Sequence, residues 1–217
     1  MRNSIPGIAR WVVAAGVVFI LGAQSPAFAK KGAKISVADD PSIKEGSPEI
    51  VLVEVSDFQC PGCGGVARDV LPAIHEKFVR TGKIELIYLD YPLRMHPHAF
   101  KAAEAAQCAN DQKMFWEMHS QLFGNQKALA PEQLPDHAKE IGLDVDVFQK
   151  CLSSGRQAGK IREDLRVVQN LGITKTPSYV LARRLPNSEK VEVLEVGQGW
   201  KAYAELEEKL NALLGSK

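Results

Sequence analysis

The cysteine pair Cys60-Pro61-Gly62-Cys63 at the end of an apolar run constrains this chain more than any other feature. Glu49–Ser56 (EIVLVEVS) is rich in β-branched residues and reads as a strand, whereas Val66–Arg80 reads as a helix. Proline suits a first helical position, because its fixed φ is already helical and its missing N–H has no partner to lose there. Cys60 is therefore predicted at a helix N-terminus, where free N–H groups and the positive end of the dipole favour a thiolate. Cys63 follows one turn later on the same face, within reach of Cys60. A strand that delivers two cysteines to the mouth of a helix is the layout of a thiol–disulfide centre.

The N-terminal stretch is set aside before fold reasoning. Arg2 and Arg10 mark a basic start, Trp11–Ala23 is uncharged and mostly apolar, and Ala27-Phe28-Ala29 supplies an A-x-A end. Residues 1–29 therefore read as a secretory signal peptide cut after Ala29. A membrane anchor is the rival reading, but a span needs about 20 apolar residues and this run is shorter. Without a cysteine at the cut, no lipid anchor is suggested. Export places the mature chain in an oxidising compartment, periplasmic or secreted, where disulfides persist. Losing Arg2 and Arg10 takes the basic count from 27 to 25 against 26 acidic residues, so the mature charge is near −1. No basic face invites nucleic acid. The four cysteines admit three pairings. The short Cys60/Cys63 spacing favours that pair and leaves Cys108 with Cys151.

Residues 30–49 form a polar N-terminal segment in which Ile35-Ser36-Val37 alternates as an edge strand. Lys83–Leu89 (KIELIYL) reads as a second strand after the stop signal Thr81-Gly82. Two strands joined by one helix make a βαβ unit with a parallel pair, here within residues 50–97. From His98 to Gly172 the pattern is helical almost throughout. Helices are expected to start at Pro131-Glu132, at Asp144 and near Gly155, and Met114, Phe115, Trp116 and Met118 read as core of this block. Residues 173–217 return to strand at Pro177–Leu181 and Lys190–Val196, a hairpin, and end in an amphipathic helix over Trp200–Leu214. The expected class is α/β: a βαβ…ββα frame with an inserted helical domain at 98–172.

The residues Asp57-Phe58-Gln59-Cys60-Pro61-Gly62-Cys63, the segment Tyr91-Pro92-Leu93…His96-Pro97…Ala102-Ala103, and Gly172-Ile173-Thr174-Lys175-Thr176-Pro177 together carry a resemblance. The chain resembles the DsbA family of exported thiol–disulfide oxidoreductases, a thioredoxin fold with a helical insertion. The resemblance covers essentially the whole mature chain, and a CxxC followed by a distant Thr-Pro ahead of a hairpin is far more specific than CxxC alone. It implies that Cys60 is the nucleophile, that Cys63 resolves the mixed disulfide, and that the Thr176–Pro177 bond is cis and lies against the CxxC. There Pro177 would block metal capture, and the Thr176 backbone, with Pro61 and Gly62 nearby, would receive an extended substrate segment. It also implies cysteine-containing exported substrates, a membrane redox partner, and no cofactor. That partner is a quinone-linked oxidase of the DsbB type or, in the opposite direction, a reductant donor. Gly62 departs from the family, where an aromatic residue or His is commoner, and this dipeptide strongly influences redox potential.

Glu54 lies on the strand that feeds the CxxC, on the face of Leu52 and opposite Val51, Val53 and Val55. Burial in a central strand would raise its pKa and suit it to relay a proton to or from Cys63; at an edge it would simply be solvated. The family carries an acidic residue at the matching place. Zinc needs four ligands, and one CxxC with two isolated cysteines does not supply them; a c-type haem site needs His where Gly64 stands. No metal site is therefore expected. Cys108 and Cys151 sit in apolar helical contexts, which fits a structural disulfide better than a second redox pair. The five histidines show no ligand spacing; His96 and His98, which flank Pro97 at the start of the insertion, either approach the redox face or, the commoner case, are surface loop residues. The first functional reading is a dithiol oxidase. The others are a reductase or isomerase kept reduced by a membrane donor, and a non-catalytic metal- or peptide-binding protein on the same scaffold.

Overall fold

The computed structural model describes residue 1 and residues 31–199 and 202–215. Nearly all of the stretch read as a signal peptide, and the Trp200 start expected for the last helix, lie outside these residues. The strands β1 (Lys34–Ser36), β2 (Ser42–Ile43), β3 (Ile50–Ser56), β4 (Ile84–Asp90), β5 (Ser178–Arg184) and β6 (Lys190–Gln198) form one sheet in the order β1-β6-β5-β3-β4-β2. β3 is central, parallel to β4 and antiparallel to β5. All seven of its residues are buried, as are those of β4. The edges are the short β1 and β2, which leave little unpaired backbone to recruit another strand.

Side-chain alternation along β3 divides the core. Val51, Val53 and Val55 join Ile87, Leu89, Val180 and Val193 on one face. Leu52 joins Leu86, Tyr179 and Leu181 on the other, under Val66, Leu71, Ile74 and Phe78. That second cover is a broken helix: α1 (Pro61–Asp69), α2 (Leu71–Ile74) and a π-helical stretch, His75–Val79. It begins at Pro61, not Val66, because the favourable first-turn proline outweighs the weak helix propensity of Gly62, Gly64 and Gly65. It breaks at Val70, ahead of Pro72, whose ring has no N–H for the helical ladder.

The remaining helices are α3 (Ala99–Asp111), α4 (Phe115–Gly124), α5 (Leu134–Glu140), α6 (Val145–Ser154), α7 (Ala158–Asn170) and α8 (Tyr203–Gly215). Asp144 caps α6 by accepting from the Val147 N–H at 3.0 Å. Gly155 ends α6 in the left-handed region, with φ 64°, and does not open α7. Pro131-Glu132 lies in a turn, and α5 begins later, at Leu134. The alanines of α3 pack with Phe115, Met118, Leu122 and Phe148 into a separate helical core that also contains Phe58, Tyr88, Cys60 and Cys63. The cysteine pair thus sits at the seam between sheet and helical block. The seam has no boundary at Gly172, since α7 gives Ile161 to the helical core but Val168 to the sheet. No described helix is long and apolar enough to cross a membrane.

Candidate active site at the Cys60–Cys63 pair

Cys60 is the N-cap of α1, with extended backbone (φ −74°, ψ 122°) and Pro61 next. Its N–H donates to the Asp57 carbonyl at 3.0 Å, and its own carbonyl accepts the first helical bond, from Gly64, at 3.1 Å. Cys60 keeps 8 % of its surface and Cys63 none, so an incoming thiolate meets Cys60 first. Both are thiols here. The Cys60 pKa is drawn down from 9.0 to about 5, chiefly by a hydrogen bond from the Cys63 thiol, against the opposing effect of burial. The N–H groups of Cys63 and Gly62 add to that stabilisation. Cys63 moves the other way: burial raises its pKa, and the neighbouring Cys60 thiolate holds its proton in place. One sulfur is therefore poised as thiolate and the other as thiol.

The loop bearing Thr176 and Pro177 faces the pair. The Thr176–Pro177 bond is cis, and the Cys60 thiol points at the Thr176 carbonyl with the sulfur 3.8 Å away. The Pro177 carbonyl accepts from Gly199 at 2.8 Å, which fastens the loop to the end of β6. Gly62 lies beneath the proline: a Cβ there would stand 3.0 Å from Pro177 Cδ, tighter than ordinary van der Waals contact. An aromatic residue or His at 62 would require the proline loop to retreat.

Three side chains outside the CxxC hold the loop. Buried Asp57 accepts from the Gln59 N–H at 2.7 Å and from the Leu93 N–H at 2.8 Å. Its Oδ2 also meets His96 Nδ1 at 2.7 Å, so His96 is an anchored residue of the site and not a surface loop histidine. Gln59 accepts from the His98 N–H at 2.8 Å, at the start of α3. From beyond α4, Gln126 Nε2 donates to the Phe58 and Cys60 carbonyls at 2.9 and 2.8 Å. A side chain at Gly64 would overlap the Gln126 amide, so the close approach requires glycine there.

Glu54 is fully buried on central β3, which discards the solvated-edge alternative. His119 on α4 stands against it, with Nε2 3.4 Å from Oε2. Cys108 and Cys151 are bonded to each other, both 1 % exposed, inside the helical core. Among the described residues, no third His, Cys, Asp or Glu gathers with the pair into a metal-binding cluster.

A family model described as thioredoxin matches residues 44–193. The probable disulfide bond formation protein D of Bacillus anthracis is 30 % identical over 152 residues, covering 66 % of this chain and 70 % of that protein. This chain belongs to the thioredoxin family. Its DsbA-like fold is shared by oxidised BdbD from Bacillus subtilis, with TM-score 0.73, 22 % identity, and coverage of 86 % of this chain and 98 % of that one. Wolbachia pipientis alpha-DsbA1 shares it with TM-score 0.70 and 24 % identity, covering 81 % and 91 %. A different relative is the Na(+)/H(+) antiporter NhaA 3 of Salinispora tropica, 35 % identical over 147 residues, or 67 % of this chain. The DsbA-like chain spans about a fifth (22 %) of that relative's length.

Proposed function

We propose that this protein is an exported dithiol oxidase that passes a Cys60–Cys63 disulfide to cysteine pairs of other exported proteins. The observation that carries the reading is the stabilised Cys60 thiolate, with its pKa drawn down to about 5. A dithiol whose reduced form is stabilised is a strong oxidant, because reduction of its disulfide is favoured.

In the oxidised enzyme a substrate thiolate attacks Cys60 Sγ, the partly exposed sulfur. The Cys60–Cys63 bond breaks, its electron pair goes to Cys63, and Cys63 takes up a proton with Glu54 as the relay. A second substrate thiolate then attacks the substrate sulfur of the mixed disulfide, and Cys60 leaves as thiolate. The substrate has lost two electrons and the enzyme holds them as a dithiol. The Thr176 backbone receives the extended substrate chain, and Pro61 and Gly62 form the opposite lip. The buried Cys108–Cys151 bond is structural. Residues 1–29 direct export, and a quinone-linked membrane oxidase of the DsbB type restores the disulfide.

The test is the redox potential of Cys60–Cys63 in residues 30–217, equilibrated against glutathione. The expected value lies near that of DsbA, about −120 mV, and a value near that of thioredoxin, about −270 mV, would reverse the direction to reductase. Cys60→Ser is expected to abolish exchange.

A further inference from the structure

Beneath the cysteine pair lies a set of buried polar atoms with no hydrogen-bond partner among the described residues. They are both Glu54 carboxylate oxygens, the Tyr88 hydroxyl, His119 Nε2 and Trp116 Nε1. Buried polar atoms are nearly always paired, with protein or with water, so several orphans in one place call for an explanation. Glu54 and Tyr88 stand opposite each other in register on β3 and β4. His119 Nε2 is 3.4 Å from Glu54 Oε2, within ion-pair range but out of line for a hydrogen bond. Its ring is fixed among aromatic rings, with centroids 4.8 Å to Phe123, 5.2 Å to Trp116 and 5.4 Å to Tyr88.

This set extends from the electrostatic reach of Cys63 to a cleft. At the inner end the Tyr88 hydroxyl lies in the electrostatic field of both Glu54 and Cys63. At the outer end His119 lines a cleft of about 320 Å³, together with Trp116 and Ser120 and, across it, Leu71, His75 and Glu76. The titratable groups around His119 are Glu54 from β3, Tyr88 from β4, and His75 and Glu76 across the cleft. Asp57 and Asp90 act electrostatically on Tyr88 beside it. A carboxylate sealed inside the protein cannot exchange protons with water directly, and an imidazole that touches it while lining a cleft can.

We propose that His119 is the outer member of a Glu54–His119 proton relay, through which Cys63 exchanges its proton with water in the cleft. The proposal rests on the thiol–disulfide reading of the cysteine pair. When substrate thiolate attacks Cys60, the S–S electron pair goes to Cys63 and Glu54 gives its proton to that sulfur. The His119 imidazolium reprotonates the Glu54 carboxylate and takes its next proton from water. In the reverse direction the same proton leaves by the same path. His119 touches no substrate, so it is a positioning and relay residue that acts through Glu54.

The experiment measures turnover of a model dithiol peptide against pH in the wild type and in His119→Gln, His119→Ala and Glu54→Gln variants. General acid–base help is worth about 100-fold or more, so His119→Gln is expected to slow exchange at least roughly tenfold and to alter the pH profile. The redox potential and the Cys60 thiolate titration should stay in place, which a merely structural role would not ensure. His119→Ala should recover rate on addition of free imidazole, which the cleft can admit. Wild-type rate in His119→Gln, or no recovery of His119→Ala with imidazole, overturns the relay. Slow Glu54→Gln with fast His119→Gln would sink the relay but keep Glu54, whereas full exchange by Cys60→Ser would sink the thiol–disulfide reading itself.

Discussion

The Gln126 side-chain amide donates to the Cys60 carbonyl at 2.8 Å across 66 residues of sequence. The same nitrogen donates to the Phe58 carbonyl at 2.9 Å, so one side chain spans the turn that carries the attacking sulfur. The Cys60 carbonyl also has the Gly64 N–H, but the Gln126 bond to Phe58 has no substitute in the α1 ladder. Gln126→Ala is therefore expected to cost about 1–3 kcal/mol, the penalty for an unpaired buried acceptor. Gly64→Ala should cost a similar amount by displacing the same amide. Their effects should not add, because both remove one interaction. Urea unfolding of the two single variants and the double variant checks this.

Two sets of groups give stability opposite dependences on pH. Asp40, Asp90 and Asp164 are each raised from 3.8 to about 7, chiefly by burial. Lys160 pairs with Asp40 and Asp164, the Asp90 N–H donates to Asp164 at 3.1 Å, and Gln107 donates to Asp90 at 2.7 Å. A carboxyl whose folded pKa is raised stabilises the fold fully below its unfolded value and loses that contribution as pH rises through the folded value. The oxidised protein, in which the CxxC sulfurs do not titrate, should therefore lose stability between about pH 4 and pH 7. Cys60 has the reverse sign. Its folded pKa is lowered from 9.0 to about 5, so its contribution is complete above 9 and disappears as pH falls through 5. The reduced form should gain on the oxidised form as pH rises from about 5 to 9. Urea midpoints of both forms across pH 4–9 measure both slopes.

What was legible in the sequence is what local chemistry determines. The alternation of Val51, Val53 and Val55 against Leu52 and Glu54 specified the two faces of β3, and Pro61 specified where a helix could open. The helical pattern of the insertion and the β5–β6 hairpin were equally local. Glu54 could be placed on a face but not given a partner, because His119 arrives from α4, whose position depends on how the insertion docks. Asp57 stood within the recognised motif, yet its bond to His96 bridges 39 residues. Gln126 carried no sequence signal, because it reaches the CxxC turn from beyond α4, 66 residues along the chain. Gly155 marks the boundary between two helices: its positive φ makes it the C-terminal cap of α6, and α7 opens nearby at Ala158.

The Cys108–Cys151 bond ties α3 to α6 across 43 residues of sequence. Both sulfurs lie within the helical core beside Ala105, Phe148 and Leu152, out of reach of an external thiolate. A catalytic disulfide needs an accessible sulfur, and both of these are sealed in the core. On the chain-entropy account a loop of this length stabilises the fold by about 4 kcal/mol. Replacing both cysteines by alanine is expected to lower unfolding stability by roughly that amount while leaving the Cys60–Cys63 potential and the exchange rate at their wild-type values. Denaturation and glutathione equilibration of the double variant measure both. A shifted potential with unchanged stability would instead mark the pair as a partner in electron transfer.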